Sequence, residues 1–373
     1  MGSDALGLLL AGLSNLTPGA AVMMAAGGLL IYLAVAKDYE PMLLLPIGAG
    51  AILANLPLSP LVAPEGMLSI LYDMGVGNEL FPLLIFIGIG AMTDFGPLLE
   101  NPRLMLLGAA GQFGIFGTLM LALALGFSLN QAASIGIIGA IDGPTSIYVS
   151  SRLAPELLGP ITVCAYSYMS LVPLIQPPIM RWLTSRRERG IRMPYTQRTI
   201  SKRTRVMFPL IVTVVVGTLV PMATPLIGML MLGNLMKESG AVERLTGASS
   251  KEIANVVTLF LGLAVGSTMR AEAFLTLSTL KILTLGVLAF GLDTAAGLLF
   301  AKGLNFASGG RFNPLLGAAG ISAFPMAARV VNRVGLEEDF ENFLLMHAMG
   351  ANTAGQVASV VAGGVLLALL GAS

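Results

Sequence analysis

The residue most able to do chemistry is Asp142, the only charged residue between Arg103 and Arg152, within Gly139-Ala-Ile-Asp142-Gly143-Pro144-Thr145-Ser146. Gly-Pro directly after the aspartate breaks a helix and leaves backbone carbonyls without intrahelical partners. Thr145 and Ser146 add hydroxyls, so the local donor inventory is wholly oxygen. Oxygen donors suit a hard cation such as Na⁺ and do not suit zinc or copper. Asp142 can equally cap the helix that follows Pro144, a role compatible with binding an ion.

A second segment has the same build: Arg311-Phe-Asn313-Pro314-Leu-Leu-Gly317-Ala-Ala-Gly320-Ile-Ser322-Ala-Phe-Pro325-Met-Ala-Ala-Arg329. Asn313 and Ser322 offer neutral oxygens, Gly317 and Gly320 allow close approach, and Arg329 is a planar cation suited to a carboxylate ligand or to anchoring beside Arg333. Tyr168 can donate and accept a proton near an ionised aspartate, or serve as a packing residue, and Asn352 is a further oxygen candidate. Asp293 is a rival ion site. Lys281, twelve residues earlier, lies about 18 Å from it along a helix and cannot neutralise it directly.

The elements that position these residues follow from composition. Of 373 residues, 55% are hydrophobic and 11% charged, and the mean hydropathy is +0.84. Ordinary soluble domains carry about 25% charged residues; this is the composition of a membrane protein. A carboxylate at membrane depth costs roughly 3 kcal/mol or more, so Asp142 requires a cation, a proton or a partner. A net charge of +1 excludes general nucleic-acid attraction, and one cysteine with one histidine excludes a disulfide or a His-rich metal cluster. The 45 glycines and 21 prolines are in excess, as expected where helices pack closely or break. The first 20 residues lack a basic n-region, so the first helix is expected to remain uncleaved.

A bilayer core needs about 20 apolar residues per helix. Ten spans are expected, at 18–36, 41–57, 79–93, 103–127, 157–183, 206–222, 225–237, 251–269, 273–299 and 340–371, with broken re-entrant hairpins at 130–155 and 313–335. Nine basic residues between Arg181 and Arg205, against the single acid Glu188, place that loop in the cytoplasm by the positive-inside rule. Counting outward, hairpin 130–155 enters from outside and hairpin 313–335 from inside. The hairpins also match in sequence: Gly136-Ile-Ile-Gly139 stands eight residues ahead of Pro144, Gly317-Ala-Ala-Gly320 eight ahead of Pro325, and Met169/Gln176 and Met349/Gln356 follow at equal spacing. The expected fold is therefore an all-α polytopic membrane protein of two inverted repeats, 1–183 and 206–373, joined by the basic loop 184–205. Such repeats place ion sites at the midplane, where their broken helices meet.

No Gly-x4-Gly-Lys-Ser/Thr phosphate loop occurs, so ATP is not the energy source on this chain. Residue types and spacing alone suit a stand-alone secondary transporter, a Na⁺/H⁺ antiporter or a Na⁺:carboxylate symporter.

Longer motifs narrow this. Asp142-Gly-Pro-Thr-Ser-Ile-Tyr, Ala165-Tyr-Ser-Tyr-Met169, Tyr39-Glu-Pro-Met-Leu-Leu-Leu-Pro-Ile-Gly48, Gly233-Asn-Leu-Met-Lys-Glu-Ser-Gly240 and above all Asn313 to Arg329 resemble the β subunit of the sodium-pumping biotin-dependent decarboxylases, over nearly the whole chain. The resemblance implies a subunit of a bacterial or archaeal cytoplasmic membrane that decarboxylates carboxybiotin, exports Na⁺ and consumes an external proton. It implies as partners a carboxyltransferase α subunit, a biotin carrier and a small membrane γ or δ subunit, within an oligomeric complex. The attachment sequence Met-Lys-Met is absent, as expected if biotin arrives on a partner. By position the resemblance assigns catalysis to Asp142, Tyr168 and Arg329, carboxybiotin binding to Arg329, and Na⁺ to Asp142, Asn313, Gly317 and Ser322, beside which Thr145 and Asn352 are further expected ligands. Ala318 and Phe324 depart from the usual serine and smaller residue, and neither removes a ligand.

Overall fold

The computed structural model describes residues 11–194 and 199–371; Arg198 of the basic run and the extreme ends of the two expected repeats lie outside them. All described regular structure is helical. The elements that position the site are α1 (Pro18–Lys37), α2 (Pro41–Asn55), α3 (Leu80–Met92), α4 (Pro102–Ala124), α5 (Leu129–Gly136), α6 (Gly143–Leu153), α7 (Leu158–Ser170), α8 (Val172–Leu183), α9 (Lys202–Leu219), α10 (Thr224–Ser239), α11 (Glu243–Ser267), α12 (Leu277–Ala307), α13 (Met326–Glu338) and α14 (Leu345–Leu370).

Five helices among the described residues, α1, α4, α11, α12 and α14, are long and apolar enough to span a membrane, and up to seven spans result if each of two bent pairs counts as one. This is fewer than the ten expected, for identifiable reasons. The 41–57 and 79–93 segments yield helices of 15 and 13 residues, short of a straight span. The 225–237 segment yields 16 residues. In the 206–222 segment, α9 opens on Lys202, Arg203 and Arg205, which dilute its apolar length. The 157–183 segment divides at Leu171: Pro173 lacks the amide that would continue the helix, and the chain bends by 67° between α7 and α8. The chain turns by 103° between α2 and the pieces covering Pro60–Gly77.

Both expected breaks are present. In the first, α5 tightens into a 3-10 turn (Ile137–Ala140), Ile141 takes a left-handed conformation at φ 54°, and extended Asp142 leads into α6. A β-branched residue at positive φ is strained by about 1–3 kcal/mol, a cost found mostly at functional positions. In the second, a 3-10 turn (Pro314–Ala319) gives way to irregular backbone from Gly320 to Pro325, then α13.

Glycine permits close helix contacts, and two sets of them are similar. A Cβ on Gly90 of α3 would lie 1.9 Å from the Leu230 carbonyl oxygen of α10, and one on Gly233 of α10 would lie 2.0 Å from that of Ile87. Between α2 and α11, a Cβ on Gly50 would lie 2.5 Å from the Leu263 oxygen and one on Gly266 2.2 Å from that of Ile47. Exposed apolar side chains such as Val22, Leu29, Val35, Leu219 and Phe306 face outward, as a hydrocarbon solvent requires. Lys281 does not approach Asp293: its ammonium donates to the Leu125 carbonyl at 3.1 Å and stands 5.7 Å from the Phe127 ring centroid.

Candidate sodium and carboxylate site

The two breaks meet. The Ser322 amide donates to the Ala140 carbonyl at 3.3 Å, one backbone bond linking the hairpins at their irregular centres. Asp142, 4% exposed, lies at this crossing. It occupies the cap position of α6, yet its side chain makes no capping hydrogen bond. Instead Oδ2 accepts the Thr145 hydroxyl at 2.7 Å and the Ser359 hydroxyl of α14 at 3.0 Å. The Ser146 hydroxyl turns back to the Asp142 carbonyl, 2.9 Å away. No basic side chain among the described residues compensates the carboxylate.

Unpaired oxygens accompany it. The Ser322 hydroxyl is buried and faces the Asp142 carboxylate at the edge of hydrogen-bonding range, with no other partner among the described residues. Asn352 of α14 donates its amide to the Ile321 carbonyl at 2.6 Å, which leaves its buried Oδ1 without a partner. One turn on, Gln356 accepts the Thr93 hydroxyl at 3.3 Å. A buried polar atom without a partner costs roughly 1–3 kcal/mol, which a ligand can recover. Among the described residues no three His, Cys, Asp or Glu side chains converge; the donors are one carboxylate with hydroxyl and amide oxygens, the chemistry of an alkali cation.

Other expected residues stand elsewhere. Asn313 caps its 3-10 turn by accepting the Leu315 amide at 3.0 Å and spends its own amide on the carbonyls of Arg189 and Ile191, at 3.0 and 2.8 Å. It thus fastens the entry of the second hairpin to the basic loop. Gly317 seats the hairpin against α12, where a Cβ would lie 2.0 Å from the Gly297 oxygen. The two tyrosines of α7 point apart. Tyr166 is buried against Gly143, beside Asp142, with its hydroxyl unpaired. Tyr168 donates to the Leu283 carbonyl of α12 at 2.6 Å. Sequence reasoning missed Ser359; its signal is the polar stripe Asn352, Gln356, Ser359 at helical spacing along an otherwise apolar helix.

Arg329, on the first turn of α13, is exposed and makes no ion pair among the described residues. Three arginines at 181–192 are engaged at the other end of α13. Arg189, nearly buried, pairs with Glu338 at 2.6 Å, Arg181 with Glu337 at 2.6 Å, and Arg192 with both Asp339 and Glu341. The Arg192 guanidinium holds the Asp339 carboxyl below the usual carboxylate range. The basic loop is therefore zipped onto the acidic end of α13.

The profile of the family described as Na⁺-transporting oxaloacetate decarboxylase beta subunit matches residues 19–370. The chain is 50% identical to oxaloacetate decarboxylase beta chain 2 of Salmonella typhimurium, covering 95% of this chain and 96% of that one. It is 51% identical to the methylmalonyl-CoA decarboxylase subunit beta of Propionigenium modestum (96% and 97% covered) and 52% identical to the glutaconyl-CoA decarboxylase subunit beta of Acidaminococcus fermentans (95% and 94% covered). With its apolar helices, broken hairpins and buried, uncompensated aspartate, the chain belongs to the β subunits of the membrane-embedded, Na⁺-transporting decarboxylases.

Proposed function

We propose that Na⁺ binds at the crossing of the two breaks, on Asp142, Ser322 and Asn352 with Thr145 beside them, and that its export is driven by decarboxylation of carboxybiotin at the cytoplasmic mouth. The observation that carries this reading is the buried Asp142 carboxylate, which lacks a basic partner and has the Ser322 hydroxyl of the second hairpin beside it. In the reaction the C–N bond breaks, CO₂ leaves, and the electron pair returns to the ureido nitrogen, which takes a proton. Arg329 would hold the carboxylate before that step. A ligand shifts a conformational equilibrium only by its differential affinity for the two states. Carboxybiotin on Arg329 supplies such a difference, and loss of CO₂ removes it.

The proton's route leads to Asp142. Of the two tyrosines, Tyr166 has the position to exchange a proton with the carboxylate, and Tyr168 braces α7 against α12. Asn313 and Gly317 act on this reading by holding the second hairpin in place. The biotin carrier and the carboxyltransferase would approach the face bearing Arg329.

The same proposal includes ten membrane-crossing helices arranged as inverted repeats, 1–183 and 206–373. The reciprocal glycine contacts support it: the third helix of each half packs on the second helix of the other, α3 on α10 and α11 on α2. Reconstitution tests the whole. Decarboxylation and Na⁺ flux should both require a biotinylated partner, and Arg329→Ala should raise the KM for that partner more than it lowers kcat. Gradient-driven Na⁺ flux by this chain alone would contradict the coupling.

A further inference from the structure

The described part of the molecule holds a second fully buried carboxyl that the site above does not use. Asp293, on α12, is 0% exposed. Its Oδ1 accepts the Gly114 amide of α4 at 2.5 Å, and its Oδ2 has no partner. The carboxyl is wedged between two glycines: a Cβ on Gly114 would stand 2.3 Å from Oδ1, and one on Gly139 would stand 2.9 Å from Oδ2. Gly139 belongs to the 3-10 turn that leads, three residues later, to Asp142. The unpaired oxygen therefore rests on the turn that leads to the proposed ion site.

We infer that Asp293 is a proton-binding site, neutral in this conformation, whose occupancy is coupled through Gly139 to the Na⁺ site at Asp142; the coupling rests on the reading of Asp142 given above. Chemistry selects the proton over a second Na⁺. One carboxyl oxygen is unpaired here, whereas an alkali cation needs several oxygens and a proton needs one. Burying an ionised carboxylate with a single hydrogen bond costs far more than burying the acid. No charge nearby relieves that cost. From α7, Cys164 and Tyr168 face α12 at Gly286, about two turns away, and Tyr166 faces Gly143 instead. Arg103 and Arg181 lie at the ends of α4 and α8, Lys281 and Lys302 at the ends of α12 itself, and α5 with both 3-10 turns contributes no titratable side chain. Asp142, beyond the turn, is the remaining one, and none forms a charge pair with Asp293. A shift of the first hairpin would carry Gly139 off Oδ2, admit water or a polar group, and let the proton leave.

Infrared difference spectra of the reconstituted complex, with and without Na⁺, test this. The wild type should show the carbonyl stretch of a protonated carboxyl that shifts when Na⁺ is added. Asp293→Asn, nearly isosteric and still able to accept from Gly114, should lose that band. Gly139→Ala should displace the band in the absence of Na⁺. A band unchanged in Asp293→Asn, insensitive to Na⁺ in the wild type, or undisturbed by Gly139→Ala would overturn the inference. Asp142→Asn separates the two readings: it should keep the band and lose its response to Na⁺. A response that survives Asp142→Asn would refute Asp142 as the Na⁺ site while leaving the proton on Asp293.

Discussion

The Ser359 hydroxyl donates to the Asp142 carboxylate at 3.0 Å, across 217 positions of sequence, and so joins the first hairpin to the last helix. The same hydroxyl also lies 2.8 Å from the Gln356 carbonyl, so its orientation is fixed by α14. A hydrogen bond to a charged group contributes about 2 kcal/mol. Ser359→Ala should therefore lower the melting temperature, by about 2 kcal/mol of stability, and change the Na⁺ concentration for half-maximal decarboxylation. An unchanged Na⁺ requirement would remove Ser359 from the site.

The tyrosines of α7 should separate by mechanism. The Tyr166 hydroxyl is buried and unpaired, so Tyr166→Phe leaves no partner orphaned and should keep or slightly raise stability. If Tyr166 exchanges a proton with Asp142, that variant should still lose decarboxylation. Tyr168→Phe breaks the bond to Leu283 and should cost about 1 kcal/mol of stability. Thermal melts and turnover on both variants decide between the roles.

The legible part of this site was the part set by covalent geometry. Gly143-Pro144 and Pro325 announced where helices must break, and a single acid in an apolar stretch announced where charge would need compensation. Side-chain direction was not legible. Tyr166 and Tyr168 are two residues apart, so they leave the helix on nearly opposite sides, and only the packing of α7 against α6 and α12 decides which one faces Asp142. That the Asn313 amide would reach the carbonyls of Arg189 and Ile191 was not legible either, because those partners lie 124 and 122 positions away and no local motif announces them. Ser359 lies on the polar stripe of the last helix, and only tertiary packing brings that stripe to Asp142. Kinks such as the one at Leu171 were not legible, because hydropathy reads through them.

Gly90 and Gly233 make the tightest contact between α3 and α10. Gly90→Ala or Gly233→Ala places a methyl carbon within about 2 Å of a backbone oxygen that cannot move aside. Each should cost about 3 kcal/mol, seen as a lowered melting temperature of the purified complex. Gly28, where a Cβ meets nothing within 4 Å, is the control and should tolerate alanine.

The loop clamp should be acid-labile. Because Arg192 depresses the Asp339 carboxyl, the bond is fully formed above that group's unfolded pKa and is lost as pH falls through its lower folded value. The protection of residues 185–194 against hydrogen exchange, taken relative to the intrinsic rate at each pH, should therefore be high at neutral pH and fall on acidification below the ordinary carboxylate range. Arg192→Ala should show the reduced protection already at neutral pH.

The central claim is that Asp142 binds the transported ion and that decarboxylation depends on it. The most direct measurement is substrate-driven radiosodium uptake into inverted vesicles carrying the complete complex, recorded together with CO₂ release, for wild type and Asp142→Asn. Loss of uptake, with loss of the Na⁺ dependence of CO₂ release, is the expected result. Uptake at the wild-type rate in the Asp142→Asn complex would contradict it.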